Sequence, residues 1–281
     1  MHHNGSTIIL GGHKHRFFDS GGSKPTLLLL HGISCSFDFF EQVIPLLSRS
    51  FRVLALDLLG FGGSDKPKNA PYSLELYSFL IKEFLDKTRR AESKGIFALG
   101  HSMGGKYLLA TEILYPGMFN KLVLSNTDGF AEQPVWVRGI NLPGIKQILK
   151  KAFSSEPVAS KAFKTAFHNP ERVNNTSYEK NLLISRDRKA IDTVMALNRN
   201  FRRLDLSRTG LRQDLGRINI PVLILWGDHD QYISPSVARK AHKEISGSEL
   251  HIFKDCGHAP MLEYPEPFSK KVTRFLLEEK Q

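Results

Sequence analysis

Several short runs of the sequence are apolar at almost every position, and they constrain the fold more than any other feature. The clearest are "TLLLL" at residues 26–30, "VLAL" at 53–56 and "VLILW" at 222–226. A strand with one solvent-facing side alternates apolar and polar residues, whereas a strand covered on both faces is apolar nearly throughout. These runs therefore predict a mostly parallel sheet that lies between two layers of helices.

Strands and helical patterns alternate along much of the chain. Eight strands are predicted, at Thr7–Leu10, His15–Phe18, Pro25–His31, Phe51–Asp57, Gly95–Gly100, Lys121–Asn126, Pro221–Gly227 and Glu249–Asp255. The first two are separated by Gly11-Gly12, which favours an antiparallel hairpin at one end of the sheet. A helix is predicted from Ser73, a suitable N-cap, with apolar residues at Leu76, Phe79, Leu80 and Phe84. This alternation indicates an α/β fold, in which ligands bind at the carboxyl ends of the strands.

The stretch from residue 131 to residue 216 interrupts the alternation. It contains no good strand and several amphipathic patterns, so we predict a helical cap inserted into a core of residues 1–130 and 217–281. It carries 16 of the 39 Lys and Arg and 8 of the 28 Asp and Glu, and therefore eight of the eleven net positive charges. A solvated basic surface explains this excess, and weak attraction to an anionic surface or substrate is the alternative. No basic run typical of a nucleic-acid tail is present, so we expect no nucleic-acid partner.

Cysteine usage and hydropathy indicate the compartment. No apolar run approaches the roughly 20 residues of a membrane span. The first ten residues show no secretory signal pattern, and Cys35 and Cys256 do not make a disulfide framework. We therefore expect two unpaired cysteines and a cytoplasmic location.

The motif "GHSMG" places Ser102 between a predicted strand and a predicted helix. A serine on so sharp a turn adopts a strained backbone and exposes its hydroxyl, while the helix N-terminus beneath it supplies unpaired N–H groups. The glycines on either side let neighbouring backbones approach. The context favours Ser102 as a nucleophile over an incidental serine in a tight turn.

A serine nucleophile needs a general base and a carboxylate that orients it. His258 follows the last predicted strand, at the carboxyl end of the sheet, and is the predicted base; His101 adjoins the serine but is expected to point away from it. Asp230 is the predicted acid, with Asp228 assigned to the turn and Asp128 kept as an alternative.

Acyl transfer also needs donors for the developing oxyanion. The predicted donors are the backbone N–H of Met103, directly after the nucleophile, and that of Ile33 in the loop "HGISCS". His31 in the same loop is predicted to be a structural hydrogen-bonding residue.

Five motifs together resemble the α/β-hydrolase superfamily over essentially the whole chain. They are "HGISCS", "DLLGFGGSDKP", "GHSMGG", "WGDHDQYISP" and "CGHAPMLEYPEPF", in the family's order and spacing. The resemblance implies an eight-stranded sheet with a cap after the sixth strand, a serine–aspartate–histidine triad of the residues above, and no cofactor.

Departures from subfamily patterns narrow the predicted activity. A serine nucleophile argues against dehalogenases and epoxide hydrolases of this fold, and the "HGGPG" loop of prolyl iminopeptidases is absent. Carbon–carbon bond hydrolases of ring-fission products share "SMGG" but usually have a Gly-Pro-rich oxyanion loop and a tryptophan after the base. We therefore predict a carboxylic ester or lactone as substrate, with carbon–carbon hydrolysis as the alternative. A ligand-binding receptor that keeps the triad and a perhydrolase side activity are further possibilities.

Aromatic residues in and before the predicted cap suggest an apolar acyl group. The predicted pocket residues are Cys35, Phe130, Trp136, Phe163, Phe167 and Phe201. Each aromatic residue taken singly is more often part of a cap core than a substrate contact.

Overall fold

One eight-stranded sheet organises the computed structural model, which describes residues 5–90, 95–130, 147, 151–152 and 155–278. The strand order is β1-β2-β4-β3-β5-β6-β7-β8. The strands are β1 Ser6–Leu10, β2 His13–Asp19, β3 Thr26–Leu30, β4 Arg52–Leu56, β5 Ile96–His101, β6 Lys121–Ser125, β7 Val222–Gly227 and β8 Glu249–Phe253. β2 pairs antiparallel with β1 and β4, and the other neighbours are parallel. The predicted strands and the mostly parallel α/β architecture are confirmed.

The apolar runs are buried on both faces of the sheet, as their composition predicts. Every residue of β3 and β4 is buried. Leu28 and Leu30 of β3 pack into one hydrophobic cluster, whereas Leu27 and Leu29 pack into another. Because successive side chains of a strand point to opposite faces, a leucine at four consecutive positions fills both layers at once.

Helices cover the sheet and follow most of its strands. They are α1 Ile44–Leu47, α2 Leu74–Thr88, α3 Met103–Leu114, α4 Glu156–Lys164, α5 Asn175–Ser185, α6 Arg188–Arg199, α7 Phe201–Leu204, α8 Pro235–Glu244, α9 Pro260–Glu263 and α10 Pro265–Leu277. Short 3-10 helices lie at Phe37–Phe40, Pro170–Arg172 and Leu211–Arg217. In the described part of the chain, no helix combines the length and the hydropathy that a membrane crossing requires.

Helix α2 begins where the sequence predicts. The Ser73 side chain accepts a hydrogen bond from the Leu76 N–H at 3.1 Å and so caps the helix. Leu80 and Phe84 are buried against the sheet, but Phe79 is 46% exposed and does not belong to the buried face. The buried face of α2 instead includes Tyr77, Ile81 and Leu85, which the predicted pattern did not name.

The described residues 155–217, called here the helical insertion, lie between β6 and β7 in the sequence. Lys180 of α5 joins them to the core, since its ammonium group lies 2.8 Å from Asp38 and 2.9 Å from Glu41. Asp38 also accepts a hydrogen bond from Arg16 of β2. The location agrees with the predicted cap, whose first part lies largely outside the described residues; the division into two domains stays a prediction.

Candidate active site

Ser102 connects the end of β5 to the first turn of α3 in a strained conformation. Its φ is 52° and its ψ is −119°, outside the regions that non-glycine residues favour. The turn fits only because Gly104 has no side chain: a methyl group there would lie 2.4 Å from the Leu30 carbonyl oxygen. The Ser102 N–H donates to the Ser125 carbonyl at 2.9 Å, and the Asp128 N–H donates to the Ser102 carbonyl at 3.2 Å. Hydrogen bonds on both sides therefore hold the strained residue in place.

His258 and Asp230 meet at the carboxyl end of the sheet. The His258 Nδ1 lies 2.8 Å from the Asp230 Oδ2, and both side chains are almost fully buried. A carboxylate can only accept hydrogen bonds, so the His258 Nδ1 carries the hydrogen and Nε2 is left as the basic nitrogen. This is the tautomer that a general base for a serine hydroxyl requires.

The Asp230 carboxylate accepts hydrogen bonds from several groups besides His258. Its Oδ1 accepts from the N–H groups of Tyr232 at 2.8 Å and Ile233 at 2.9 Å, and its Oδ2 accepts from the Asn126 amide at 2.8 Å. Burial alone would raise the pKa of Asp230, but His258 and Asn126 together outweigh it and leave the pKa below its ordinary value. The carboxylate is therefore ionised and fixed in orientation.

The two other carboxylates considered as the acid are engaged elsewhere. Asp228 lies 2.6 Å from the Nδ1 of His229 and accepts from the Cys256 N–H at 3.2 Å, which agrees with its assignment to the turn. Asp128 forms an ion pair with Lys106 at 2.5 Å. Only Asp230 of the three hydrogen-bonds to His258 in the structure.

Both predicted oxyanion donors have free amides. No described residue accepts a hydrogen bond from the N–H of Ile33 or Met103. Met103 is the first residue of α3, where helix N–H groups have no intrahelical partner. A methyl group at Gly32 would lie 3.1 Å from the Ser102 Cβ, so the loop that carries Ile33 runs directly beside the nucleophile.

His31 and His101 form part of the surroundings. The His31 Nε2 accepts from the Leu58 N–H at 3.0 Å and its Nδ1 contacts the Gly32 carbonyl at 2.7 Å, which matches the predicted structural role. The His101 ring stacks on Phe39 and lies 4.8 Å from the His258 ring, so it adjoins the base. Burial, reinforced by the charge of His258, holds the pKa of His101 well below its ordinary value. His101 is therefore a neutral neighbour of the base, which the sequence reasoning did not anticipate.

Glu263 is a second residue that the sequence reasoning missed, although it lies within a motif that carries the family resemblance. Its buried carboxylate accepts from the N–H of Gly257 at 2.7 Å, of His168 at 3.2 Å and of Asn169 at 2.8 Å. It therefore ties the loop of the base to the helical insertion. A carboxylate five residues after a predicted base is the only signal that the sequence offered.

We expect Glu263→Gln to lower the free energy of unfolding by about 1–3 kcal/mol, because the amide nitrogen would face backbone donors that lose their acceptor. Thermal unfolding followed by circular dichroism measures the loss. The matched control is Glu266→Gln, an exposed position three residues away, where little change is expected. Equal stability of the two variants would contradict the role assigned to Glu263.

The backbone of the base loop lies against the insertion. The His258 N–H donates to the Ala166 carbonyl at 2.7 Å. A methyl group at Gly257 would lie 2.5 Å from the Ala166 carbonyl oxygen and 2.7 Å from the His168 nitrogen. The contact therefore requires glycine at position 257.

We expect Gly257→Ala to destabilise the fold by about 1–3 kcal/mol through overpacking. It should also lower kcat/KM, because the added methyl group displaces the backbone next to His258. Gly216→Ala is the control, since a methyl group there meets nothing within 4 Å and the backbone has no positive φ. Denaturant unfolding and initial rates on an active ester test both variants. A Gly257 variant as stable and active as the Gly216 variant would refute the prediction.

The predicted pocket residues fall into separate places. Phe163 and Phe167 of the insertion make an edge-to-face contact at 5.2 Å and pack in the same cluster as Cys35. Phe130 is fully buried in the other cluster and so is not grouped with them. Phe201 begins α7, and Trp136 lies outside the described residues.

The two cysteines form no disulfide. Burial raises the pKa of the Cys35 thiol to about 12, so this sulfur is not a nucleophile near neutral pH. Within the described ranges, one group of side chains has the composition of a metal site, His168, His229 and Asp255.

Comparison with known proteins agrees with this fold. The family model described as the alpha/beta hydrolase fold matches residues 25–265. The chain is 29% identical over 276 residues to a 2-hydroxy-6-oxononadienedioate/2-hydroxy-6-oxononatrienedioate hydrolase of Klebsiella pneumoniae, covering 92% of this chain and 89% of that protein. The chain belongs to the alpha/beta hydrolase fold family, and it is a hydrolase.

Solved structures of two enzymes share the fold. A meta-cleavage product hydrolase from Pseudomonas fluorescens superposes with a TM-score of 0.79 at 22% identity, with 97% of both chains covered. An enol-lactonase from Burkholderia xenovorans gives a TM-score of 0.78 at 22% identity, with 97% of this chain and 100% of that chain covered. At these identities the likeness concerns the fold alone.

Proposed function

We propose that the chain is a serine hydrolase that cleaves a carboxylic ester or lactone through an acyl-enzyme. The observation that carries the proposal is the joint presence of strained Ser102 at the start of α3 and the His258–Asp230 hydrogen bond of 2.8 Å. A hydroxyl nucleophile, an oriented imidazole base and two free amides are the parts that acyl transfer needs.

The reaction proceeds in two halves. His258 Nε2 takes the proton of the Ser102 hydroxyl as its oxygen attacks the substrate carbonyl, and the oxyanion accepts hydrogen bonds from the Ile33 and Met103 amides. His258 then gives this proton to the departing alkoxide, which leaves Ser102 acylated. Water deprotonated by His258 attacks the acyl group, and the acid leaves as Ser102 regains its proton. Asp230 stabilises the imidazolium in both halves.

Two paired lysines among the described residues favour a neutral acyl group. Lys106 of α3 is paired with Asp128, and Lys180 of the insertion is paired with Asp38 and Glu41. Neither ammonium group is left to bind a substrate carboxylate. The buried aromatic pair Phe163 and Phe167 supplies an apolar surface in the insertion, which would act as a cap over the site.

Carbon–carbon hydrolysis of a ring-fission product is the second candidate. The relative from Klebsiella pneumoniae, whose name gives a 2-hydroxy-6-oxo-dienoate type of substrate, supports it. Against it stand the neutralised lysines, the "HGISCS" loop without proline and the "GHAP" sequence at the base.

A substrate panel separates the candidates. We expect p-nitrophenyl esters of graded acyl length and simple lactones to be turned over with a kcat/KM well above that for a 2-hydroxy-6-oxo-dienoate. The opposite ranking would favour carbon–carbon hydrolysis. A folded protein that is inert to the whole panel and unlabelled by a fluorophosphonate would favour a receptor.

The basic charge of the insertion supports a further part of the proposal, weak attraction to anionic surfaces. Arg202 and Arg203 are both exposed. If the attraction operates, salt and charge reversal at these two positions lower the rate on anionic or emulsified esters but not on a soluble neutral ester. A cytoplasmic location belongs to the same proposal, because two free thiols suit a reducing compartment.

A further inference from the structure

Three side chains with metal-binding chemistry converge where the helical insertion meets the loops of the acid and the base. His168 follows Phe167 in the insertion, His229 precedes Asp230, and Asp255 lies in the loop before His258. Their ligand atoms all lie within 4.8 Å of one another. The His168 and His229 rings stack with their centres 3.8 Å apart. Three separate segments of the chain thus bring two imidazoles and one carboxylate together.

His229 is oriented as a ligand by a carboxylate behind it. Its Nδ1 lies 2.6 Å from the Asp228 Oδ1, and that oxygen is itself fixed by the Cys256 N–H. A metal-binding histidine commonly donates a hydrogen bond from its second ring nitrogen to a carboxylate. Here that nitrogen is Nδ1, which leaves Nε2 to bind the metal. His229 has this arrangement although it takes no part in the proposed acyl transfer.

The Asp255 carboxylate is available to an ion. The groups that contact this residue from outside its own loop use its backbone carbonyl: Asn169 Nδ2 at 2.9 Å, Arg172 at 3.3 Å and the Tyr264 hydroxyl at 3.3 Å. No described residue donates a hydrogen bond to the carboxylate oxygens. The Arg172 guanidinium stacks on the Tyr264 ring at 4.7 Å, so this nearby cation is held to the ring and the carbonyl.

We propose that His168, His229 and Asp255 bind one Zn²⁺ ion, with water in the remaining position. Two imidazoles and a carboxylate are a donor set suited to Zn²⁺. Zn–N bonds of about 2.0–2.1 Å place tetrahedral ligands roughly 3.3 Å apart, so the ligand atoms must approach one another by at most about 1.5 Å. His168 is half-buried and the other two residues are exposed, which leaves room for this rotation.

Bound Zn²⁺ would connect the helical insertion to both loops of the triad. The same junction already contains the hydrogen bonds from His258 to Ala166 and from His168 to Glu263. The ion therefore acts as a clamp that fixes the insertion relative to the base. This inference does not depend on the proposed ester substrate, because metal binding is measured without turnover.

Calorimetric titration of the full chain with ZnCl₂ tests the site. We expect one saturable ion, and an affinity at least about tenfold weaker in Asp255→Asn and in His229→Gln, since loss of even an outer partner of a ligand typically costs 10–100-fold. Asn tolerates the positive φ of 51° at position 255, so Asp255→Asn retains the local backbone. Two controls remove other imidazoles that could bind Zn²⁺. One is the double variant His2→Gln/His3→Gln and the other is His13→Gln. Both should bind Zn²⁺ as the wild type does.

Thermal unfolding gives a second measurement. At a Zn²⁺ concentration one hundred times the Kd, we expect Tm to rise by roughly 5 °C in the wild type and to change little in Asp255→Asn. Anomalous scattering at the zinc edge in a soaked crystal should place the ion between the three side chains. Equal affinity of the wild type and the Asp255 and His229 variants, or loss of binding only in the controls, would overturn the proposal.

Discussion

Replacing Ser102 by alanine is expected to lower kcat on an active ester by roughly 10⁴- to 10⁶-fold, the range found when a nucleophile of such a triad is removed. In the proposed mechanism, the change deletes the hydroxyl oxygen that His258 deprotonates. It leaves the turn intact, since the hydrogen bonds that hold residue 102 involve only its backbone. The fold should therefore survive while the chemistry stops.

Covalent labelling tests directly whether Ser102 is the nucleophile. A fluorophosphonate should modify the wild type at one serine and should not modify Ser102→Ala. The control is Ser236→Ala, an exposed serine of α8, which should keep both labelling and rate. Labelling of the Ser102 variant at an unchanged rate would show that another residue is the nucleophile.

Asp230→Asn is expected to lower kcat by about 10³- to 10⁴-fold while KM changes little. An amide donates a hydrogen bond where the carboxylate accepts one, so it favours the His258 tautomer with the hydrogen on Nε2. That tautomer cannot accept the serine proton. The loss should thus appear in kcat, and circular dichroism should show a folded variant.

The matched control for Asp230→Asn is a second aspartate in the same loop. Asp228→Asn makes the same chemical change two residues away, at a carboxylate that contacts His229 rather than His258. We expect it to keep most of the ester activity. Similar losses in the two variants, or an Asp230 variant that keeps a tenth of the wild-type kcat, would refute the assignment of the acid.

The proposed triad could be predicted from the sequence because each of its members follows a predicted strand. Ser102 follows β5, whose apolar composition is a local property, and His258 follows β8. The carboxyl ends of parallel strands meet at one edge of a sheet. Asp230 was the less secure assignment, because Asp228 and Asp128 also follow strands. Its selection depended on distances to His258, which no local pattern contains.

The supporting residues were not predictable in the same way. Asn126 ends a predicted strand and Glu263 lies in one of the five motifs, but the roles of both come from partners far away in sequence. Asn126 reaches Asp230, and Glu263 reaches His168 and Asn169. Phe79 shows the converse error, since helical spacing indicated burial but no neighbour covers its ring well.

The sequence by itself determined the class of fold, and it predicted the nucleophile and the base proposed here. These follow from hydrophobic pattern, turn chemistry and motif order, which are properties of neighbouring residues. Only the tertiary structure decided which carboxylate holds His258, how Glu263 and Gly257 join the base loop to the insertion, and that His168, His229 and Asp255 converge. The physical reason is that hydrogen bonds and metal coordination depend on distances of a few ångströms between segments that the sheet topology brings together.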